Sequence, residues 1–264
     1  MSEIQTSPLA RGRDVVLFSG IWPAVVAAAL VAVCDRALGG ESVPSSTPWG
    51  AMGLAATGTL LVYNIDRLRD LDRDQPSAPA RTAFVEQHRR RLVGLSALAG
   101  LASLPLAMLQ PPLAWWLCAM ALALGLLHRR LKGHLAGGVI YVTAAWLMVV
   151  VGLPAVGRSQ WEIDASSLVW VSITMGLIIS ANLLGSELRE LEPGPRTLRR
   201  LQIARVLAAA GSLWPSLEPS TGALVPVGAC TFLALLWFRF DERYGLGVLD
   251  GALLLGALLG LALG

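Results

Sequence analysis

Long apolar stretches alternate with short polar loops along the whole chain. Nine of them reach, or nearly reach, the ~20 residues that a helix needs to cross a hydrocarbon core. They cover residues 14–34, 48–68, 91–109, 112–128, 135–156, 166–186, 198–215, 221–239 and 243–263. Inside a bilayer, backbone polar groups must bond within their own segment, so each stretch predicts a transmembrane helix. The expected fold is all-α, a polytopic membrane protein with nine transmembrane helices in a single domain, residues 1–264.

Composition agrees with a membrane protein. The chain has 264 residues, of which 55% are hydrophobic and 15% charged, whereas soluble domains carry about 25% charged residues. The net charge of +3 does not indicate nucleic acid, because the basic residues lie in short loops between the apolar stretches. The lipid bilayer is therefore the expected partner, and nucleic acid is not.

The distribution of basic residues predicts the orientation. With nine spans and a cytoplasmic N-terminus, all but two of the 21 Lys and Arg fall in cytoplasmic segments or at the helix ends beside them. The two exceptions are Arg36 and Arg158. Positive residues favour the cytoplasmic side of a membrane. We therefore expect an integral protein of a bacterial inner membrane, with the N-terminus cytoplasmic and the C-terminus on the opposite side.

Three carboxylates follow the second apolar stretch. Asp66, Asp70 and Asp74 are spaced i, i+4 and i+8, so on a helix they drift by about 40° per step and form one acidic edge. Clustered like charges are costly unless a cation lies between them. Mg²⁺ binds one or two carboxylates and completes its octahedron with phosphate oxygens and water. The alternative is a solvated helix end whose acids are neutralised by neighbouring arginines.

The sixth apolar stretch ends in a similar way. It runs through Asn182 into Glu187 and Glu190, as the second stretch runs through Asn64 into its acids. An Arg-Thr pair follows each of the two acidic segments. The similarity predicts a weak internal duplication, with two half-sites facing one cavity that opens to the cytoplasm. A chance resemblance between the two segments remains the alternative.

Two acidic helix ends beside basic residues suit a diphosphate. The carboxylates would hold Mg²⁺, while Arg81, Lys132 and Arg196 would neutralise the remaining negative charge. Asn64 and Asn182 are polar side chains at membrane depth, which usually face protein or a cavity. Apolar helices beside them would accommodate a hydrocarbon tail and exclude water. Stabilising the departing diphosphate would lower the barrier to breaking an allylic C–O bond.

The first motif resembles that of the UbiA-type intramembrane prenyltransferases, which have nine helices and two Asp-rich motifs. Their first motif has the form NDxxDxxxD, and its second and third aspartates fall on Asp70 and Asp74. Its opening Asn-Asp falls on Asp66-Arg67, so the opening aspartate is missing. Asn64, two residues earlier, can stand in for the asparagine.

The second motif departs further from the family pattern. Placing the family's Gly-Ile-Arg-Thr-Leu on residues 194–198 brings its asparagine onto Asn182. The last aspartate then falls on Glu190 and the middle one on Ser186, beside Glu187. The basic stretch after the fourth helix resembles the family's Tyr-to-Lys segment and ends at Lys132, with His128 in place of the tyrosine.

The resemblance implies a UbiA-like helical bundle that transfers an isoprenyl group from a polyprenyl diphosphate to an aromatic or other lipophilic acceptor, with Mg²⁺ as cofactor. The residues expected to bind the metal are Asp66, Asp70, Asp74, Glu187 and Glu190. The residues expected to bind the diphosphate are Asn64, Arg81, Lys132, Asn182 and Arg196, and those expected to act in catalysis are Asp70, Asp74, Lys132 and Arg196. Two alternatives stay open, a membrane terpene cyclase and a non-catalytic isoprenoid-binding or transport protein on the same fold.

Overall fold

The computed structural model describes residues 8–39, 48–71, 78–131, 135–158, 164–188 and 191–263. Regular structure within these ranges is helical throughout, as expected, and each of the nine predicted stretches contains a helix. The α-helices are α1 (Pro8–Phe18), α2 (Ile21–Gly39), α3 (Pro48–Arg69), α4 (Pro79–Met108), α5 (Pro112–Leu131), α6 (Leu135–Leu147), α7 (Leu153–Gly157), α8 (Ala165–Leu188), α9 (Pro195–Leu213), α10 (Val225–Leu236), α11 (Glu242–Tyr244) and α12 (Asp250–Leu263). Single π-helical turns, Met148–Gly152 and Gly245–Leu249, join α6 to α7 and α11 to α12, and 3₁₀ turns precede α10.

Within the described ranges, five helical segments are long and apolar enough to cross a membrane. They are Ile21–Gly39, Pro79–Met108, Gly138–Gly157, Ala165–Leu188 and Glu242–Leu263. Pro112–Gly125 and Thr221–Leu236 are shorter apolar helices. The chain is therefore an integral membrane protein, and the count of nine spans stays a prediction.

The first predicted span, 14–34, is wrong at its start. α1 ends at Phe18, and the chain turns at Ser19-Gly20 before α2 begins at Ile21. Gly20 has φ +80°, a backbone conformation that costs little only for glycine. The apolar pattern is continuous across this turn, so hydropathy alone predicted one helix where the chain forms two.

The third predicted span, 91–109, is also wrong at its start, because α4 begins twelve residues earlier at Pro79. Proline is favoured in the first helical turn, where its missing N–H is not needed. The helix deviates from helical geometry at His88, where φ is −111° and ψ is 16°. Arg81, which the sequence placed in a loop, therefore lies in the first turn of a helix.

The helices form a closed ring of neighbours. α3 packs against α2, α2 against α12, α12 against α10, and α10 against α9. α9 packs against α8, and α6 and α5 complete the path back to α3. α4 packs on the outside of α3. This order separates the ends of α3 and α8 by α5 and α6.

Small residues allow close approach where α10 meets α12. A Cβ on Gly256 of α12 would overlap the backbone of Val227 in α10. Packing of this kind holds membrane helices together where lipid provides no hydrophobic driving force. α2 is the most completely enclosed of the five apolar segments, with 67% of its apolar stretch buried.

Arg36 and Arg158, the two exceptions to the charge asymmetry, both have partners at the end of the bundle away from Asp66. Arg158 donates to the Asp35 carboxylate and carbonyl, each at 2.9 Å. Arg36 donates at 3.4 Å to the carbonyl of Leu261, near the end of α12. These two arginines therefore have structural roles, and their position does not weaken the predicted orientation.

Candidate functional site

The C-terminal end of α3 brings together three of the predicted site residues. Asn64 and Asp70 are buried, with 0% and 2% of their surface exposed, and Asp66 is half-buried. The Asp70 N–H donates to the Asp66 carbonyl at 3.0 Å, so the helical turn continues past Arg69. The i, i+4 relationship that the sequence predicted is present. Asp74, the third acid of the edge, lies outside the described residues.

The Asn64 side chain is buried against the turn between α1 and α2. A Cβ on Gly20 would lie 3.0 Å from Asn64 Oδ1, so only glycine leaves room for this contact. Neither polar atom of the Asn64 amide has a hydrogen-bond partner in the described part of the chain. A buried amide without partners costs about 1–3 kcal/mol. Asn64 is therefore a polar group to which a ligand could supply the missing hydrogen bonds.

Arg67 occupies the place where the family pattern has its opening aspartate. Its side chain is buried, and Nη1 donates to the carbonyl of Phe18 at the end of α1. The guanidinium also lies 5.7 Å from the centre of the Tyr63 ring. The departure from the family motif thus replaces a carboxylate with a cation that fastens α1 to α3.

Glu187, near the end of α8, is half-buried and faces α6. Its Oε1 lies 3.7 Å from the position that a Cβ on Gly138 would take. Thr143 and Ser180 join the same two helices through a hydroxyl–hydroxyl hydrogen bond of 3.1 Å. Glu190, the second acid predicted at this end, lies outside the described residues.

Tyr141 of α6 lies within electrostatic range of the acidic ends of both α3 and α8. Both Asp66 and Glu187 act electrostatically on its hydroxyl. The carboxylates of α3 and α8 therefore both lie within electrostatic range of one side chain, although α5 and α6 separate the two helices in the ring. Tyr141 was not predicted as a site residue, because its neighbours along the sequence are apolar and do not indicate that Asp66 and Glu187 are near it in the fold.

Asn182 lies on α8 and is 5% exposed. Its Nδ2 has no hydrogen-bond partner among the residues that the structure describes. Asn182 thus resembles Asn64 in burial as well as in its position before an acidic helix end. The same polar residue is buried with unused donor capacity on both helices.

The predicted cationic residues differ in their surroundings. Arg81 is buried, and its backbone N–H donates to Glu242 Oε1 at 3.2 Å. This contact joins the start of α4 to α11 and was not foreseen from the sequence. Arg196 is exposed in the first turn of α9. Lys132 lies outside the described residues.

Hard oxygen donors are present at both acidic ends. Asp66, Asp70 and Glu187 carry the carboxylates that Mg²⁺ prefers. Across the described ranges, no group of three His, Cys, Asp or Glu side chains is close enough together to hold a metal ion. Asp74 and Glu190 fall in the gaps between those ranges, so the five-carboxylate set stays a prediction. The donor chemistry itself fits the metal.

Comparison with known proteins gives a structural match. No protein-family model and no curated protein sequence matches the chain. A solved structure described as digeranylgeranylglyceryl phosphate synthase in membranes superposes with a TM-score of 0.56 and 11% identity, over 95% of this chain and 98% of that one. The chain therefore has the same fold as this membrane synthase.

This fold agrees with the UbiA-type resemblance that the motifs suggested. The match extends over nearly the whole chain, and the motifs lie where α3 and α8 end. At 11% identity the likeness concerns the fold. The role of each site residue therefore depends on the chemistry of this chain's own side chains.

Proposed function

We propose that the chain is a membrane prenyltransferase that transfers an isoprenyl group from a polyprenyl diphosphate to an aromatic or other lipophilic acceptor, with Mg²⁺. The observation that carries the proposal is that α3 and α8 each bury an asparagine whose amide nitrogen has no partner among the described residues, before an acidic end, and that the charges of Asp66 and Glu187 at these ends both act on Tyr141. Two acidic helix ends with a shared neighbour suit a ligand that is itself strongly anionic and arrives with cations.

The carboxylates would hold the metal and orient the diphosphate. Mg²⁺, when bound, would supply positive charge to the departing pyrophosphate. The carboxylates assigned to the metal are Asp66, Asp70, Asp74, Glu187 and Glu190. Burial of Asp70 supports this role, because a carboxylate away from water interacts more strongly with a cation than an exposed one does.

The polar and basic side chains would bind the diphosphate directly. Asn64 and Asn182 have amide donors with no partner in the described ranges, and a phosphate oxygen can accept from them. Arg81, Lys132 and Arg196 would add positive charge as the C–O bond breaks. Asp70, Asp74, Lys132 and Arg196 would thus act in catalysis. The exposed Arg196 side chain would have to turn towards the site to take part.

The apolar helices would hold the isoprenyl chain and exclude water. An allylic cation formed by loss of pyrophosphate reacts with water unless the surrounding wall is dry. In the proposed topology of nine spans with a cytoplasmic N-terminus, the diphosphate would enter from the cytoplasm. The tail would lie among the membrane-spanning helices, where a lipophilic acceptor can also reach it.

A second candidate function is isoprenoid binding without catalysis. The specific observation in its favour is Arg67, a buried cation bonded to the Phe18 carbonyl at the place of a family aspartate. Ser186 takes the place of a second family aspartate. A chain with fewer acids could retain the binding site and lose the power to ionise the substrate.

Turnover with defined substrates separates these functions. Purified protein would be incubated with Mg²⁺ and geranyl, farnesyl or geranylgeranyl diphosphate, with and without lipid-extract acceptors, while pyrophosphate release and products are measured. Acceptor-dependent release with a prenylated product supports the transferase. Cyclic products without an acceptor would indicate a terpene cyclase. Saturable binding with no release for any chain length would leave the non-catalytic function.

A further inference from the structure

Three consecutive arginines follow the deviation of α4 at His88, the middle one on the outer side of the helix and the other two about 100° to either side of it. Arg89, Arg90 and Arg91 are all exposed. Within the described chain, none of their side chains forms an ion pair or a hydrogen bond. Other arginines have protein partners. Arg205, for example, donates to the carbonyl of Leu235 at 2.9 Å. The three cations on α4 are therefore available to an anionic partner.

A shallow depression of about 620 Å³ lies at this place and is lined by residues 86–91. Among the described residues that line it, Glu86 is the one acid. The His88 ring contacts its own helix. It stacks on the Phe84 ring with the two ring centres 4.3 Å apart, and its Nδ1 lies 3.0 Å from the Phe84 carbonyl. The depression thus combines positive charge with open space.

Below the arginines, α4 presents an apolar stripe to the outside. Val93, Leu101, Leu104 and Met108 are each more than half exposed. At 100° per residue they lie within about 60° of Arg90 around the helix. Leu92, Ser96 and Ala99 are buried and occupy the opposite side, which packs on α3. Arg90 therefore lies at the N-terminal end of the apolar stripe, on the side of α4 that faces away from the protein.

The part of the stripe from Arg90 to Leu101 rises about 16 Å, close to the depth of one leaflet, which is half of the hydrocarbon core. From Arg90 to Met108 the helix rises about 27 Å, close to the ~30 Å thickness of a hydrocarbon core. A positive group at one end of an exposed apolar helix face has the polarity of an anionic phospholipid, whose phosphate lies at the interface and whose chains lie in the core. Basic residues at this depth attract anionic lipids.

We propose that α4 carries a binding site for an anionic phospholipid, with the lipid phosphate at Arg90 between Arg89 and Arg91 and an acyl chain along Val93 and Leu101. The site lies on the outside of the bundle, and it is independent of the proposed prenyl transfer. Charge complementarity and the adjoining apolar stripe together favour a lipid over a soluble anion, which would gain nothing from the stripe.

The test is lipid retention by the purified full-length protein. Native mass spectrometry would compare bound phosphatidylglycerol with phosphatidylcholine of the same acyl chains. The variant R89Q/R90Q/R91Q should lose retained phosphatidylglycerol by about tenfold or more, the scale expected from three basic residues near an anionic headgroup. The matched control R199Q/R200Q/R239Q removes the same number of charges from the same predicted membrane face and should retain the lipid.

Several outcomes would overturn the proposal. They are equal retention of the two lipids by the unaltered protein, retained phosphatidylglycerol in R89Q/R90Q/R91Q, and equal loss in the control. Displacement of the lipid by soluble glycerol phosphate would assign the site to a free phosphate instead.

A photoreactive phosphatidylglycerol added to the unaltered protein provides a check that does not depend on folding of a variant. Its cross-links should fall within residues 86–104. Cross-links confined to other helices would reject the site.

Discussion

Arg158 and Asp35 form a buried ion pair at the end of the bundle opposite the acidic residues. The Arg158 Nε lies 2.9 Å from Asp35 Oδ1, and the two side chains are 5% and 10% exposed. Arg158 follows α7 and Asp35 lies near the end of α2, so the pair joins segments that are 123 residues apart. The pair therefore connects the end of α2 to the end of α7.

Replacing Arg158 by methionine should destabilise the protein by about 3 kcal/mol, because removal of one partner leaves an uncompensated buried charge. Unfolding in detergent, followed by circular dichroism against denaturant, measures the change. The exposed pair of Arg243 and Asp14, at 3.3 Å, provides the control. R243Q should cost less than about 1 kcal/mol. Equal losses in both variants would contradict the structural role assigned to Arg158.

Gly20 offers a test of the turn that the sequence did not predict. G20A should lower the free energy of unfolding by about 1–2 kcal/mol, because its φ of +80° is costly for a residue with a Cβ. The new Cβ would also press on Asn64 Oδ1 at 3.0 Å. The control is G58A in α3, where nothing lies within 4 Å. G58A should raise the free energy of unfolding by up to about 1 kcal/mol, because alanine has a higher helix propensity than glycine.

Helix positions could be predicted from the sequence wherever lipid requires an unbroken apolar run. The turn at Ser19-Gly20 could not, since both neighbouring segments are apolar and the decisive feature is one backbone angle. The start of α4 could not either. Its first turns are polar, so hydropathy carries no signal there. Proline in the first turn and tertiary contacts, such as that of Glu242 with Arg81, favour a helix that begins at Pro79.

Local spacing was enough to predict the adjacency of Asp66 and Asp70, because both lie on one helical turn. The neighbours of Tyr141 depend on how α6 packs between distant parts of the chain, and spacing along the sequence does not contain that information. The role of Arg67 was missed for the same reason. Its sequence neighbours are Asp66 and Leu68, whereas its hydrogen-bond partner, Phe18, is 49 residues away.

Asp70→Asn tests the proposed metal ligands. The change keeps the size of the side chain and removes its charge, so pyrophosphate release should fall about a hundredfold, the scale of a lost electrostatic contact at a reacting group. D164N is the matched control, because Asp164 is an exposed acid just before α8. Its activity should equal that of the unaltered protein. Full activity of D70N, with intact folding by circular dichroism, would remove Asp70 from the mechanism.

Tyr141→Phe tests whether the two acidic ends act together. The charges of both Asp66 and Glu187 act on the Tyr141 hydroxyl. Loss of the hydroxyl should therefore alter how these carboxylates are oriented, while the phenyl ring of the side chain stays in place. We expect the Mg²⁺ concentration for half-maximal pyrophosphate release to rise about tenfold, since groups that orient metal ligands commonly affect affinity by 10- to 100-fold.

The control for Tyr141→Phe is Y244F. The Tyr244 hydroxyl donates to the Ala234 carbonyl at 2.7 Å and joins α11 to α10. Its loss should lower stability by about 1 kcal/mol without changing the Mg²⁺ requirement. If Y141F and Y244F show the same Mg²⁺ dependence as the unaltered protein, the carboxylates of α3 and α8 do not share a metal-dependent function through Tyr141. An effect confined to Y141F would support a single site built from both acidic ends.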